Sequence, residues 1–145
     1  MRDIRCSAGP RDPSYTEVHG AFSISYVRSG SFGYHTRGKC FELVAGSFLI
    51  GYPGDEFRCT HEHHGCGDEC LSFQLAPEVI ETVGGRTSDW RVGCLPPVPE
   101  LIVLGELAQA TAEERTDVGL DETGLSLAAR FIEVEVDTLE QLKEV

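Results

Sequence analysis

From position 20 to position 75 the chain alternates apolar and polar residues in short runs. Phe22, Ile24 and Tyr26 are separated by Ser23 and Ser25, a period of two that predicts a strand with one buried face. Ser29-Gly30-Ser31 turns the chain, after which Phe32, Tyr34 and Thr36 alternate with Gly33, His35 and Arg37. Arg37-Gly38-Lys39 is a second turn. Further short strands are predicted over 41–44, 47–52, 57–62 and 70–75, divided by Ala45-Gly46 and Pro53-Gly54-Asp55. Many short strands with glycine turns predict a sandwich or barrel. Residues 2–17 are polar and hold Gly9, Pro10 and Pro13, which predicts an irregular lead-in.

The period changes after Pro77. A short helical turn is predicted over 78–83, with proline at its start. A loop follows at 84–89, then a last strand over 90–94. Pro96-Pro97-Val98-Pro99 marks a boundary. Beyond it, 100–114 has helical composition with Leu101, Leu104 and Ala108 on one face and Val103 and Leu107 nearby. A second helix, capped by Asp121, is predicted to run to about Glu144. Its stripe of Leu125, Ala128, Ile132, Leu139 and Leu142 suits either the barrel surface or the same face of a second copy. Pairing with a second copy is the expectation carried forward. The predicted layout is an arm (1–19), a β-barrel (20–96) and a helical region (97–145).

Composition narrows the function. Asp and Glu number 24 against 12 Lys and Arg, a formal charge of −12. Such a surface repels phosphate and argues against direct grip on nucleic acid. No apolar run approaches the ~20 residues of a membrane span, and residues 1–5 lack the apolar stretch of a secretory signal. A cytoplasmic location without membrane association is expected.

Six cysteines are many for a reducing compartment. Cys59, Cys66 and Cys70 interleave with His61, His63 and His64 within twelve residues. Two thiolates and two imidazoles suit a tetrahedral zinc ion. The quartet of choice is Cys59, His61, His64 and Cys70, with Cys66 and His63 as substitutes, on a hairpin whose second strand returns beside the first. Buried thiols with solvated histidines, and a thiol redox input, remain as alternatives at this point. Tyr26, Tyr34, His35, Arg37, Tyr52 and Trp90 are candidate walls of a barrel cavity for a small ligand. No residue is assigned a catalytic role.

The runs 22–34, 42–57 and 67–74 together resemble the cupin-type sensor domain of AraC-family transcription regulators. The two late helices are similar to that family's dimerisation helices. The resemblance covers roughly residues 20–135. It implies a cupin-like jelly-roll barrel followed by two helices, a small-molecule effector, a homodimer, and DNA contact only through a helix-turn-helix domain outside this chain. Enzyme cupins hold a metal through a His-x-His pair, a Glu and a later His. Here the matching stretch reads His35-x-Arg37 and Glu42, and a guanidinium does not ligate metal at neutral pH. The expectation is therefore a sensor and not an enzyme, with a small cupin metalloenzyme (dioxygenase or isomerase) or a metal or thiol redox sensor as rivals.

Overall fold

The computed structural model describes residues 2–6, 14, 16–61, 67–84, 86–113 and 120–143. Their strands form two antiparallel sheets. Sheet 1 has the order β1 (Arg2–Cys6), β8 (Asp68–Leu75), β3 (Phe22–Ser29), β6 (Phe48–Gly51) and β9 (Cys94–Leu95). Sheet 2 has the order β2 (Thr16–Val18), β7 (Glu56–Thr60), β4 (Ser31–Thr36) and β5 (Lys39–Val44). The order 1-8-3-6 facing 2-7-4-5 is that of a jelly roll. The strands thus stand as two facing sheets in the jelly-roll arrangement expected.

The chain changes sheets between β3 and β4 at Gly30, whose φ is 80°. A side chain there would meet the backbone of the strand-8 entry, with a Cβ 2.8 Å from the Asp68 Cα. The β4–β5 hairpin closes through Arg37 and Gly38, with Thr36 opposite Lys39. Both turn residues have positive φ, 52° and 74°, as a two-residue loop of the twisted type I′ requires. An arginine there costs about 1 kcal/mol. Its side chain reaches Asp55 at 3.4 Å and ties the hairpin tip to the β6–β7 turn.

The lead-in reading of residues 2–17 needs correction, because it contains β1 and β2. Their sequences carry little apolar signal; pairing with β8 and β7 creates the strands. The strand expected over 90–94 is a 3-10 turn (Thr87–Arg91) followed by the two-residue β9.

Two apolar layers result. Phe22, Ile24, Tyr26, Phe48, Ile50, Leu71, Phe73 and Leu75 face outward from sheet 1 onto the helices. Val27, Phe32, Tyr34, Leu43, Leu49 and Cys70 meet between the sheets. β3 is consequently buried on both faces from Phe22 to Val27, where one buried face was expected.

The helices cover sheet 1. Helix α1 (Pro77–Val83) starts on proline and ends at Gly84, whose φ is 81°, the usual left-handed stop. Helices α2 (Pro99–Ala112) and α3 (Leu120–Lys143) pack on each other and on the sheet. Asp121, expected as the cap of the last helix, lies inside it, since the helix begins at Leu120. Leu127, Ala128, Phe131 and Ile132 of α3 are buried in this layer. Ala128 and Ile132, expected to face a second copy, are therefore spent on the domain's own core. Leu125 stays exposed; the side chains of Leu139 and Leu142 lie outside those described. No helix among the described residues is long and apolar enough to cross a membrane.

Candidate functional site

Strand alternation sends the small polar residues of sheet 1 inward. Ser25 and Ser72 are register partners on β3 and β8, and the Ser25 hydroxyl donates to Ser72 Oγ at 2.8 Å. Both are buried, as is Ser23. Val27, Leu49 and Cys70 add the apolar part of this wall. Sheet 2 answers with Phe32, Tyr34 and Leu43, with Phe41, Phe57 and Cys59 packed against them. Thr36, at the end of β4, donates to the Glu56 carbonyl at 2.9 Å. The layer between the sheets is thus apolar with a few buried hydroxyls.

His19 packs against the edge of this layer. Its ring stacks on Phe57 with centroids 4.0 Å apart, and its Nε2 lies 2.8 Å from the Tyr34 hydroxyl. Burial lowers the imidazole pKa, and the Asp55 carboxylate opposes that shift. Burial also raises the Tyr34 phenol above its ordinary range. Position 19 carried no signal in the sequence, since a lone histidine beyond a polar lead-in has no period or motif.

The six expected ligand residues do not share one pocket. Tyr34 is buried between the sheets. Tyr26 and Trp90 lie in the other layer, under the helices. Tyr26 donates to Glu106 Oε1 of α2 at 2.6 Å, and burial followed by this bond raises its pKa. Trp90 packs edge-on against Phe131 and Phe22, and its buried indole N–H finds no acceptor among the described residues. Tyr52 packs edge-on against Phe22 and carries the Arg91 guanidinium 4.2 Å above its ring. His35 and Arg37 line an open groove of about 590 Å³ at the hairpin-tip end of sheet 2, with Cys40, Asp55 and Arg58 and with Thr36 and Phe57 of the inner layer. His35 Nε2 there contacts Thr60 Oγ1 at 3.1 Å and Cys40 Sγ at 3.8 Å. Glu42, two positions from Cys40 on β5, is exposed. The His35 and Glu42 pair that would be left of an enzyme cupin's metal set therefore stands on the outer face, away from the interior.

The Cys/His segment also departs from expectation. Cys59 lies on β7 and Cys70 on β8, and these strands belong to opposite sheets. The return is a crossover and not a hairpin of paired neighbours. Even so, both cysteines reach the same inter-sheet cluster. His61 follows β7, its ring 6.4 Å from that of Phe32. His64, with the substitutes His63 and Cys66, lies outside the described residues. Among the described residues no three His, Cys, Asp or Glu side chains stand close enough to hold a metal. Cys94, also packed on the inter-sheet cluster, has its thiol pushed up to about 11 by burial, so it is inert at neutral pH.

No family model matches the chain, and no curated protein sequence does. Solved structures do. ToxT from Vibrio cholerae O395, bound to (E)-4-(8-methylnaphthalen-1-yl)but-3-enoic acid, matches over 94% of this chain and 57% of its own at 11% identity, with a TM-score of 0.60. ToxT from strain SCE256 bound to an unsaturated fatty acid matches with the same coverage and identity and a TM-score of 0.53. The AraC-like transcriptional activator CuxR matches over 85% of this chain and 46% of its own at 16% identity, with a TM-score of 0.52. The chain has the fold of the matching part of these proteins and spans about half their length.

Proposed function

We propose that this chain is the effector-sensing and dimerisation domain of an AraC-type transcription regulator, which reaches DNA through a separate domain. The observation that carries the reading is the inter-sheet interior of a fold shared with such regulators: buried serines and a tyrosine set among apolar walls. A layer built for stability alone would be filled with apolar side chains, because each buried hydroxyl must find a partner. Binding fits better than catalysis. Ser25 is hydrogen-bonded to Ser72 and not to a general base, and His35 and Glu42 face away. The ligand acts by favouring one arrangement of the sheets and helices over another. An amphipathic carboxylic acid is the first class to test, since that is the chemistry named for ToxT. At a hundred times its dissociation constant a ligand stabilises the folded chain by about 2.7 kcal/mol, a rise in melting temperature of roughly 10 °C. Thermal unfolding with oleate and with the naphthylbutenoic acid is expected to show such a rise for at least one. No rise with either contradicts the ligand class.

Dimerisation through the helices is part of the same proposal, with Leu125 and Val103 as exposed apolar positions on α3 and α2. A structural zinc ion held by Cys59, His61, His64 and Cys70 is also proposed. In its support, Cys59 and Cys70 converge on one cluster from facing sheets. Zinc there would pin the two sheets together beside the crossover. The purified chain is expected to carry about one zinc per chain by elemental analysis, and Cys59→Ser with Cys70→Ser to carry none. Equal metal content in the double variant contradicts the site.

A further inference from the structure

We propose that His19 is an acid-released plug: in its neutral form it bridges the two sheets at one end and holds the Thr16–Val18 strand in place, and on protonation it lets go. The ring touches both sheets. On the sheet 2 side it stacks on Phe57 and bonds the Tyr34 hydroxyl. On the sheet 1 side it lies against Gly51, where an added Cβ would come within 2.8 Å of Nδ1 and would also strike the Ser23 hydroxyl. Only glycine at position 51 leaves room for the ring.

The backbone of the same residue is clamped. The His19 N–H donates to the Asp55 carbonyl at 3.0 Å, and the Gly54 N–H donates to the His19 carbonyl at 2.9 Å. β2 itself has three residues, pairs among the described residues only with β7 and is exposed along its length. Among the described residues His19 is thus its anchor. This is how a local opening with a low free-energy cost is built.

The groups facing the ring decide the sign. From β4 comes the neutral Tyr34 hydroxyl. From β7 comes Phe57, and from sheet 1 Ser23 and Gly51; none brings charge. The β6–β7 turn brings Asp55, which favours the imidazolium, but Arg37 draws on the same carboxylate at 3.4 Å. Burial therefore prevails and the imidazole pKa lies below 6.5. A histidine in the released strand returns to its ordinary value. The closed form is thus fully favoured above pH 6.5 and loses ground as the pH falls from 6.5 towards the lowered pKa.

What the opened end admits rests on the sensor reading; the plug does not. Hydrogen exchange of the wild-type chain, with no ligand, tests it alone. Once exchange times are scaled for intrinsic chemistry, protection of amides 16–20 is expected to fall up to about tenfold between pH 7.5 and 5.5. Protection in β3 and β8 is expected to stay constant. His19→Gln keeps a hydrogen-bonding group but cannot titrate, so its protection at 16–20 is expected to be independent of pH. The same pH slope in that variant, or none in the wild type, overturns the plug. Ring-proton NMR of the wild-type chain gives a second reading that needs no variant. A His19 midpoint below 6.5 supports the plug, and one at or above 6.5 overturns it. Effector binding that fails while this pH response holds would sink the sensor reading alone.

Discussion

At the scale of single residues, close approaches explain choices that composition leaves arbitrary. Gly105 sits in the second turn of α2, where alanine would ordinarily gain about 1 kcal/mol of helix propensity. Here the Tyr26 ring lies directly over it, and an added Cβ would fall 2.6 Å from Cδ1. The ring is fixed by its bond to Glu106 and by burial, so it cannot move aside without losing both. Overpacking of this kind costs about 1–3 kcal/mol and outweighs the propensity gain. Gly105→Ala is therefore expected to lower stability by up to about 2 kcal/mol, read as a lower urea midpoint at constant slope. A higher midpoint would mean that the ring is loosely held.

At the scale of elements, periodicity located the strands from Phe22 to Leu75 and both long helices to within a few residues, because period and turn residues agreed there. It did not locate β1 or β2, which are strands only because β8 and β7 offer partners. Nor did it say which way β3 faces. The alternation of Phe22, Ile24 and Tyr26 with serines was legible, but the apolar set serves the helices and the serines serve the interior. For that reason the expected ligand residues scattered: Tyr34 and His35 are neighbours in sequence and lie on opposite faces of one sheet. The same ambiguity governs α3. Phe131 is fully buried against Trp90, whereas Leu125 is 42% exposed. Phe131→Ala is expected to cost about 3–5 kcal/mol in unfolding experiments. Leu125→Glu is expected to leave stability within about 0.5 kcal/mol and to weaken self-association in sedimentation velocity. Unchanged association in Leu125→Glu would contradict the proposed dimerisation through this face.

At the scale of the whole molecule, the design is a jelly roll with one sheet armoured by helices and the other exposed to solvent. Sheet 1 connects the two sides. Val27 on β3 lines the interior while its neighbour Tyr26 grips α2 through Glu106. A ligand that spreads the sheets would therefore shift strands that are bonded to the helices, and a packed core transmits such shifts because it deforms little. In the proposed function the effector sits between the sheets and is bound without being converted. The most direct test of this is an NMR titration of the isotope-labelled chain with oleate or the naphthylbutenoic acid, whichever raises the melting temperature. Shift changes are expected to concentrate at Ser23, Ser25, Val27, Tyr34, Leu43 and Ser72, with the ligand signals intact after prolonged incubation. Changes confined to the groove around His35, Arg37 and Arg58, or conversion of the ligand to a product, would contradict it.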